Sequence, residues 1–303
     1  SDGDNWRGRS LWQPTFGGKW NRLRDFEFGD VNSDGVEELI IATHDQGVIA
    51  VVDINKQNLP PITVFEQPNT FIHEIEIGDI DGDGKKEFFA TPSQPNRAKK
   101  SQGGEIKMFR HQKDSTYQSF TVDRYKNRHA KEILVTDIDN DGIDELYVSL
   151  EAVFKVIKGQ RQIIDELAIV RYDFVKGKFI SKVIATLKGG VQARVLINAD
   201  LTNSGKNELL VTTMKAGIWR LLPTENREKP WQKVQIDADS SGFEHAAQVA
   251  DIDKDGLLEL YVAADDQNEI REYRWQQNRF VRRKIGDLHK HDITWNIEYC
   301  SGL

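Results

Sequence analysis

Five ten-residue runs along this chain repeat one arrangement of oxygen-bearing side chains. Positions 1, 3, 5 and 9 carry Asp30, Asn32, Asp34 and Glu38 in the first run and Asp79, Asp81, Asp83 and Glu87 in the second. They carry Asp137, Asp139, Asp141 and Glu145 in the third, and Asp251, Asp253, Asp255 and Glu259 in the last. Position 6 is glycine each time (Gly35, Gly84, Gly142, Gly256), which permits a sharp reversal. Side chains at 1, 3 and 5 then converge on one centre, the backbone carbonyl at position 7 (Val36, Lys85, Ile143, Leu257) joins them, and the glutamate closes the shell. Ca²⁺ takes six to eight such oxygens at about 2.3–2.6 Å in flexible geometry. No His or Cys accompanies the loops, which argues against zinc and copper. An EF-hand needs a glutamate at position 12; here that place holds Ile41, Ala90, Val148 or Val262. An Asp/Asn/Gly-rich hairpin turn is the plainer explanation of one such run, but not of four with the glutamate always in place. The remaining run, Asp200 to Glu208, has Thr202 and Ser204 in place of two carboxylates and adds Lys206; it is expected to be empty, leaving about four calcium sites.

The first aspartates recur about every 50–60 residues, the period of a repeat architecture. Each run lies between two strands: Asp25–Phe28, Glu74–Ile77 and Ile133–Val135 before it, Leu39–Ala42, Phe88–Ala90, Leu146–Val148, Leu209–Val211 and Leu260–Ala263 after it. Two further strands follow in each unit, for example Glu105–Phe109 and Tyr117–Val122. Four antiparallel strands per repeat make a propeller blade, so the fold class is all-β. All 303 residues are assigned to one propeller domain, with repeats starting near residues 21, 70, 128, 191 and 242 and a partial one near 292.

This pattern resembles the FG-GAP/VCBS repeats of integrin α-subunit heads and many secreted bacterial proteins. Phe28-Gly29-Asp30 keeps the Phe-Gly element; the Gly-Ala-Pro element is missing, with Ala90-Thr91-Pro92 its nearest remnant. The resemblance spans about residues 20–290 and implies a calcium-stabilised propeller, a scaffold that carries binding modules and some lyases alike.

The C-terminal stretch Thr294–Ser301 aligns on Ile72–Asp79 without gaps, as a sixth innermost strand, and Trp6–Phe16 stands where an outer strand belongs. Six blades with one shared by the termini is the reading that explains both ends; five or seven are the alternatives.

Six residues before each loop's first aspartate stand Arg24, His73, Lys131, Arg194 and His245, with Trp295 in the C-terminal copy. These positions begin the innermost strands, on the face opposite the calcium loops. A ring of cations and a tryptophan suits an anionic ligand or the face of a sugar. The neighbouring Asp25, Glu74 and Glu132 offer the alternative that the bases pair with acids around the channel. Two long loops are expected on the same face, Thr91–Gly104 with Arg97, Lys99 and Lys100, and Ser149–Asp165 with Lys155, Lys158 and Arg161. Trp12, Trp20, Trp219 and Trp295 are the candidates for sugar stacking.

Composition narrows the classes. With 29% charged and 38% hydrophobic residues the chain is globular, and no apolar run approaches the roughly 20 residues of a membrane span. The opening Ser1-Asp2-Gly3-Asp4 is not a signal peptide, so any export signal is expected to lie outside this sequence. Cys300, the one cysteine, rules out an intramolecular disulfide. The net charge of −7 argues against non-specific nucleic-acid coating, but most of it sits in the loops and reports on metal rather than partners. Nucleophile elbows, phosphate loops, dinucleotide fingerprints and metalloprotease motifs are all missing from the sequence. These observations predict a secreted, periplasmic or cell-surface recognition or adhesion module binding a glycan or protein ligand, without membrane insertion. The alternatives are a polysaccharide lyase, in which His73, His245 or a lysine removes the α-proton of a uronate, and a purely structural scaffold.

Overall fold

The computed structural model describes residues 10, 13–16, 22–56, 60–96, 103–113, 116–226 and 229–299. Among them 22 strands and one three-residue 3₁₀ turn (Asp265–Gln267) are present, and no helix is long and apolar enough to cross a membrane.

Five four-stranded antiparallel sheets follow one another along the chain. The first comprises β1 (Leu23–Gly29), β2 (Glu38–Thr43), β3 (Val48–Val52) and β4 (Ile62–Glu66). The second comprises β5 (Phe71–Gly78), β6 (Glu87–Gln94), β7 (Gly103–His111) and β8 (Tyr117–Tyr125). In the third, β9 (Ala130–Thr136) and β10 (Glu145–Leu150) are separated from their outer partners by an inserted hairpin, β11 (Val153–Ile157) and β12 (Gln160–Asp165). Strands β13 (Leu167–Val175) and β14 (Lys178–Leu187) complete that sheet. The fourth holds β15 (Ala193–Ala199), β16 (Glu208–Thr213), β17 (Gly217–Leu222) and β18 (Gln232–Asp237). The fifth holds β19 (Ala247–Ala250), β20 (Glu259–Ala264), β21 (Glu269–Gln276) and β22 (Arg279–Asp287). The first strand of each sheet packs beside the first strand of the next, β1 on β5, β5 on β9, β9 on β15 and β15 on β19. Sheets arranged radially about their innermost strands make a β-propeller.

Burial explains the sequence pattern. Second strands are sandwiched between neighbouring blades, so β6, β10, β16 and β20 are buried on both faces and read as near-continuous apolar runs. The outer strand β8 has no fully buried residue. The apolar core lies in layers between blades, for example Ile72, Ile75 and Phe88 with Ile40 and Ile49, or Tyr147 and Leu167 with Leu196 and Val211. Each such side chain contributes about 1.5–3 kcal/mol by leaving water.

The loops between first and second strands share one turn. Positions 4 and 6 both take positive φ: Ser33 at 62° and Gly35 at 88°, Asn140 at 58° and Gly142 at 88°. A Cβ on the position-6 glycines would meet nothing, so these are glycines for their backbone angle and not for space.

At the seam between the fifth and first blades, the expected sixth innermost strand is not formed. Residues 292–299 run without regular structure and form no ladder with a strand among the described residues. They nonetheless bridge the seam: the Thr294 N–H donates to the Asp265 carboxylate at 3.2 Å, and the Arg24 guanidinium stands 6.0 Å from the Trp295 ring. Phe26 and Phe28 on β1 stay about half exposed there. Of the outer strand expected at Trp6–Phe16, only residues 10 and 13–16 are described, and they are irregular.

Candidate functional site

The two rims of the propeller carry opposite chemistry. On one rim, four loops gather their carboxylates. Ligand atoms of Asp137, Asp139, Asp141 and Glu145 all lie within 4.8 Å of one another, as do those of Asp79, Asp81 and Glu87, of Asp251, Asp253 and Asp255, and of Asp34, Glu38 and Asp53. The turn is tied by its own first aspartate: Asp30 accepts from the N–H groups of Asp34 (3.1 Å) and Gly35 (3.0 Å), and Asp79, Asp137 and Asp251 do the same. The N–H groups of Val36, Lys85, Ile143 and Leu257 donate to the position-5 carboxylate, which fixes their peptide planes. Burial pushes Glu38, Glu87 and Glu145 up to about 7. Asp81 Oδ1 is buried without a hydrogen-bond partner. An all-oxygen set with an orphaned carboxylate oxygen fits a hard divalent cation such as Ca²⁺.

Sequence reasoning missed a second component of these loops. A guanidinium from the third strand reaches the carboxylates at positions 3 and 9. Arg110 contacts Asp81 at 2.6 Å and Glu87 at 2.8 Å; Arg171 contacts Asp139 at 3.0 Å and Glu145 at 2.8 Å; Arg274 contacts Asp253 at 2.5 Å. In the fourth blade Arg220 holds Glu208 at 2.5 Å, while Asp200 still accepts the N–H groups of Ser204 and Gly205. The first blade has Asp53 instead, paired with the exposed Lys56 at 2.7 Å. The available signal was an arginine in the third strand of four blades, alone in three of them and beside Arg271 in the fifth.

The opposite rim opens on a cavity of about 990 Å³. Arg24, His73, Lys131, Arg194 and Trp295 all line it, as expected from their shared register. The local cause is a β-bulge. The ladder slips between Leu23 and Asp25, between Ile72 and Ile75, between Ala193 and Val195, and opposite Lys131. Arg24, Arg194 and Lys131 are therefore the extra residue in their strands, and His73 shares the bulge of β5 with Glu74. A bulge re-aims a side chain out of strict alternation. His245 is the exception. Its strand has no bulge; the residue precedes β19 at φ 55° and is fully buried. Its Nε2 meets Ser240 Oγ at 2.7 Å and its Nδ1 the Thr213 carbonyl at 2.9 Å, so it packs in the core and does not line the cavity.

The cations are partly neutralised, by acids other than those expected. Lys131 pairs with Glu151 at 2.9 Å, and Arg194 with Glu244 through two bonds of 2.6 Å. Asp25, Glu74 and Glu132 form no ion pair among the described residues. Asp25 instead accepts the Ile75 N–H at 2.7 Å, and burial raises all three above the usual carboxylate range. Arg24 has no carboxylate partner among the described residues; it donates to the His73 carbonyl at 3.3 Å and faces Phe71 and Trp295. His73 is buried with Nε2 unpartnered, and desolvation with Lys131 and Arg194 nearby holds it neutral. Arg128, Phe71, Phe154 and Phe243, all on this rim, escaped the sequence reading. Trp219 packs against the core and donates to the Ala216 carbonyl, whereas Trp12, Trp20, Arg97, Lys99, Lys100 and Cys300 lie outside the described residues.

No family model matches the chain, and no curated protein matches it. Among solved structures, a lectin from Agrocybe aegerita that recognises non-reducing terminal N-acetylglucosamine is similar over 88% of this chain and 67% of its own, with a TM-score of 0.50 and 16% identity. An aldose sugar dehydrogenase from Streptomyces coelicolor in PQQ-bound form reaches a TM-score of 0.47 at 12% identity, over 88% of this chain and 82% of its own. At such identity the lectin speaks for the fold alone. The chain is a β-propeller.

Proposed function

We propose that the chain is a calcium-stabilised recognition module of the FG-GAP/VCBS kind that binds a glycan in the cavity opposite its loops, outside the cell. The observation that carries the reading is the lining of that cavity: seven arginines and lysines against two carboxylates, interleaved with Phe71, Phe154, Phe243 and Trp295. Cations with incomplete partners attract an acidic group, and exposed rings offer sugar faces a stacking surface. Calcium at the Asp30, Asp79, Asp137 and Asp251 loops would be held by their carboxylates and would stiffen the turns that set strand register; the Asp200 loop is left empty. Millimolar extracellular Ca²⁺ suits several sites of this kind, which supports an exported location.

A glycan-array assay in millimolar Ca²⁺ tests the reading, run on the parent chain beside an Arg24→Ala/Trp295→Ala variant. Neither residue makes an ion pair among the described residues, and a melting curve like the parent's would show that loss of binding reports the site and not misfolding. Binding that survives the double substitution, or no binding by the parent, rejects it. The lyase alternative rests on His73, a neutral imidazole beside Lys131 and Arg194. It requires unsaturated uronate product that disappears in His73→Ala.

A further inference from the structure

We infer that the cavity takes an extended acidic saccharide chain rather than a single sugar, with the β11–β12 hairpin holding the part that runs out of the cavity. The inference rests on the glycan reading above and names the ligand's charge and length.

The hairpin is dispensable to the blade. The corresponding connections in the other sheets are made without a strand among the described residues, and β10 pairs directly with β13 across the insertion. Its base is nevertheless fastened at both ends by one residue: Arg128 donates to the Glu151 carbonyl at 2.7 Å, the Leu150 carbonyl at 3.3 Å and the Glu166 carbonyl, and pairs with Asp165 at 2.9 Å. Arg128 also lines the cavity, so the hairpin is clamped over the mouth.

Its chemistry is one-sided. Residues 152–164 contain Lys155, Lys158 and Arg161 and no carboxylate, and none of the three pairs with a carboxylate among the described residues. Phe154 pairs with Ile163 and Val156 with Arg161 across the ladder, which puts Phe154 and Arg161 on one face. There the guanidinium lies 3.8 Å from the Phe154 ring centre, a flat cationic platform at the cavity edge. Gln160 and Gln162 fall on the opposite face of the ladder and do not line the cavity, whereas Lys155, also on that face, reaches its lining. The cavity's about 990 Å³ stands at the top of the range of ordinary ligand sites, several sugar units rather than one.

The test is affinity against chain length by calorimetry in millimolar Ca²⁺. Oligogalacturonates and sulfated heparan-type oligosaccharides, each as disaccharide and octasaccharide, are compared with a neutral octasaccharide and a single-stranded DNA of matched charge. The parent is expected to bind one acidic octasaccharide at least about tenfold tighter than its disaccharide, since exposed charge pairs each contribute a few-fold. The two acidic arms decide between carboxylate and sulfate. Lys155→Ala/Arg161→Ala should bring that ratio close to one, while Lys158→Ala, which removes the same kind of charge at the hairpin turn, should keep most of it. Equal losses from all three lysine and arginine changes would reduce the hairpin to a long-range field and overturn the inference. So would acidic binding that is independent of length, or DNA binding as tight as the best saccharide. A parent that binds neutral glycans alone overturns the acidic chain and leaves the glycan reading standing; a parent that binds no glycan removes both.

Discussion

The two rims of this propeller are built from opposite ends of the same innermost strands, yet they handle charge differently. On the loop rim acids are matched within the blade, in four of five cases by an arginine reaching back from the third strand. On the cavity rim cations outnumber acids, and Arg24 faces rings instead of a carboxylate. A rim that repeats its chemistry blade after blade serves the scaffold. A rim whose members differ in partner, burial and loop length can distinguish a ligand.

Removing an arginine from the loop rim should produce the largest effect. Arg171 is 7% exposed and joins Asp139, Glu145 and Asp173, so Arg171→Met leaves three clustered carboxylates without their cation. Breaking a buried pair from one side costs about 3–5 kcal/mol. Denaturant unfolding in chelator should show a loss of that order, largely restored by millimolar Ca²⁺. An equal loss with and without calcium would mean that the arginine and the metal do not share these carboxylates.

Counted for a single loop, chelation of the parent comes next. A site filled at about a hundred times its dissociation constant contributes about 2.7 kcal/mol. The sequence alone predicts strong repulsion among the emptied loops; the arginines reduce it, so the melting temperature should fall by less than bare carboxylates require. The first blade, with exposed Lys56 in place of a guanidinium, is the loop expected to loosen most, which hydrogen exchange across residues 30–38 would show. A melting curve unchanged by chelator would reject calcium.

The channel beneath the cavity gives a pH test that separates the rims. Burial and neighbouring Asp25 push Glu27 up to about 7 from its ordinary 4.5. Between those values the folded state keeps a proton that the unfolded chain has released, so the contribution of Glu27 to stability should fall as pH rises through about 4.5 to 7 and change no further above. Measured in saturating calcium, Glu27→Gln should lessen that slope, the remainder coming from Asp25, Glu74, Glu76 and Glu132, which burial also raises. A slope unchanged by the substitution would mean that Glu27 does not titrate in this range.

The fold was legible because the loop turn repeats and its flanking strands alternate or run apolar in register. The basic ring was legible for the same reason, since equal distance from a fixed turn means equal height in the channel. His245 shows the limit. Register places a Cα, but a bulge decides where the side chain goes, and β19 begins too late to have one. The seam shows another: Thr294–Tyr299 has the right residues for a strand, but a strand needs a ladder partner, and side chains hold the segment instead. The arginines were invisible because they come from a strand about 20–30 residues downstream, with no motif of their own.

The smallest effect carries the sharpest control. The Asp200 loop keeps the turn, with Ser204 and Gly205 N–H groups on Asp200 at 2.9 and 2.6 Å, and its glutamate is held by Arg220. It is what the other loops become if the arginine alone closes them. Thr202 occupies position 3, and its hydroxyl makes one long hydrogen bond, 3.4 Å to Asp200. Thr202→Ala should therefore shift stability by under about 0.5 kcal/mol, with the same value in calcium and in chelator. Asp81→Ala, at the same position in the second blade, should cost clearly more in calcium than in chelator, because the parent loses its metal contribution there and the variant has none to lose. If both substitutions respond to calcium alike, the Asp200 loop is itself a metal site; if neither responds, the arginines are the only cations these loops hold.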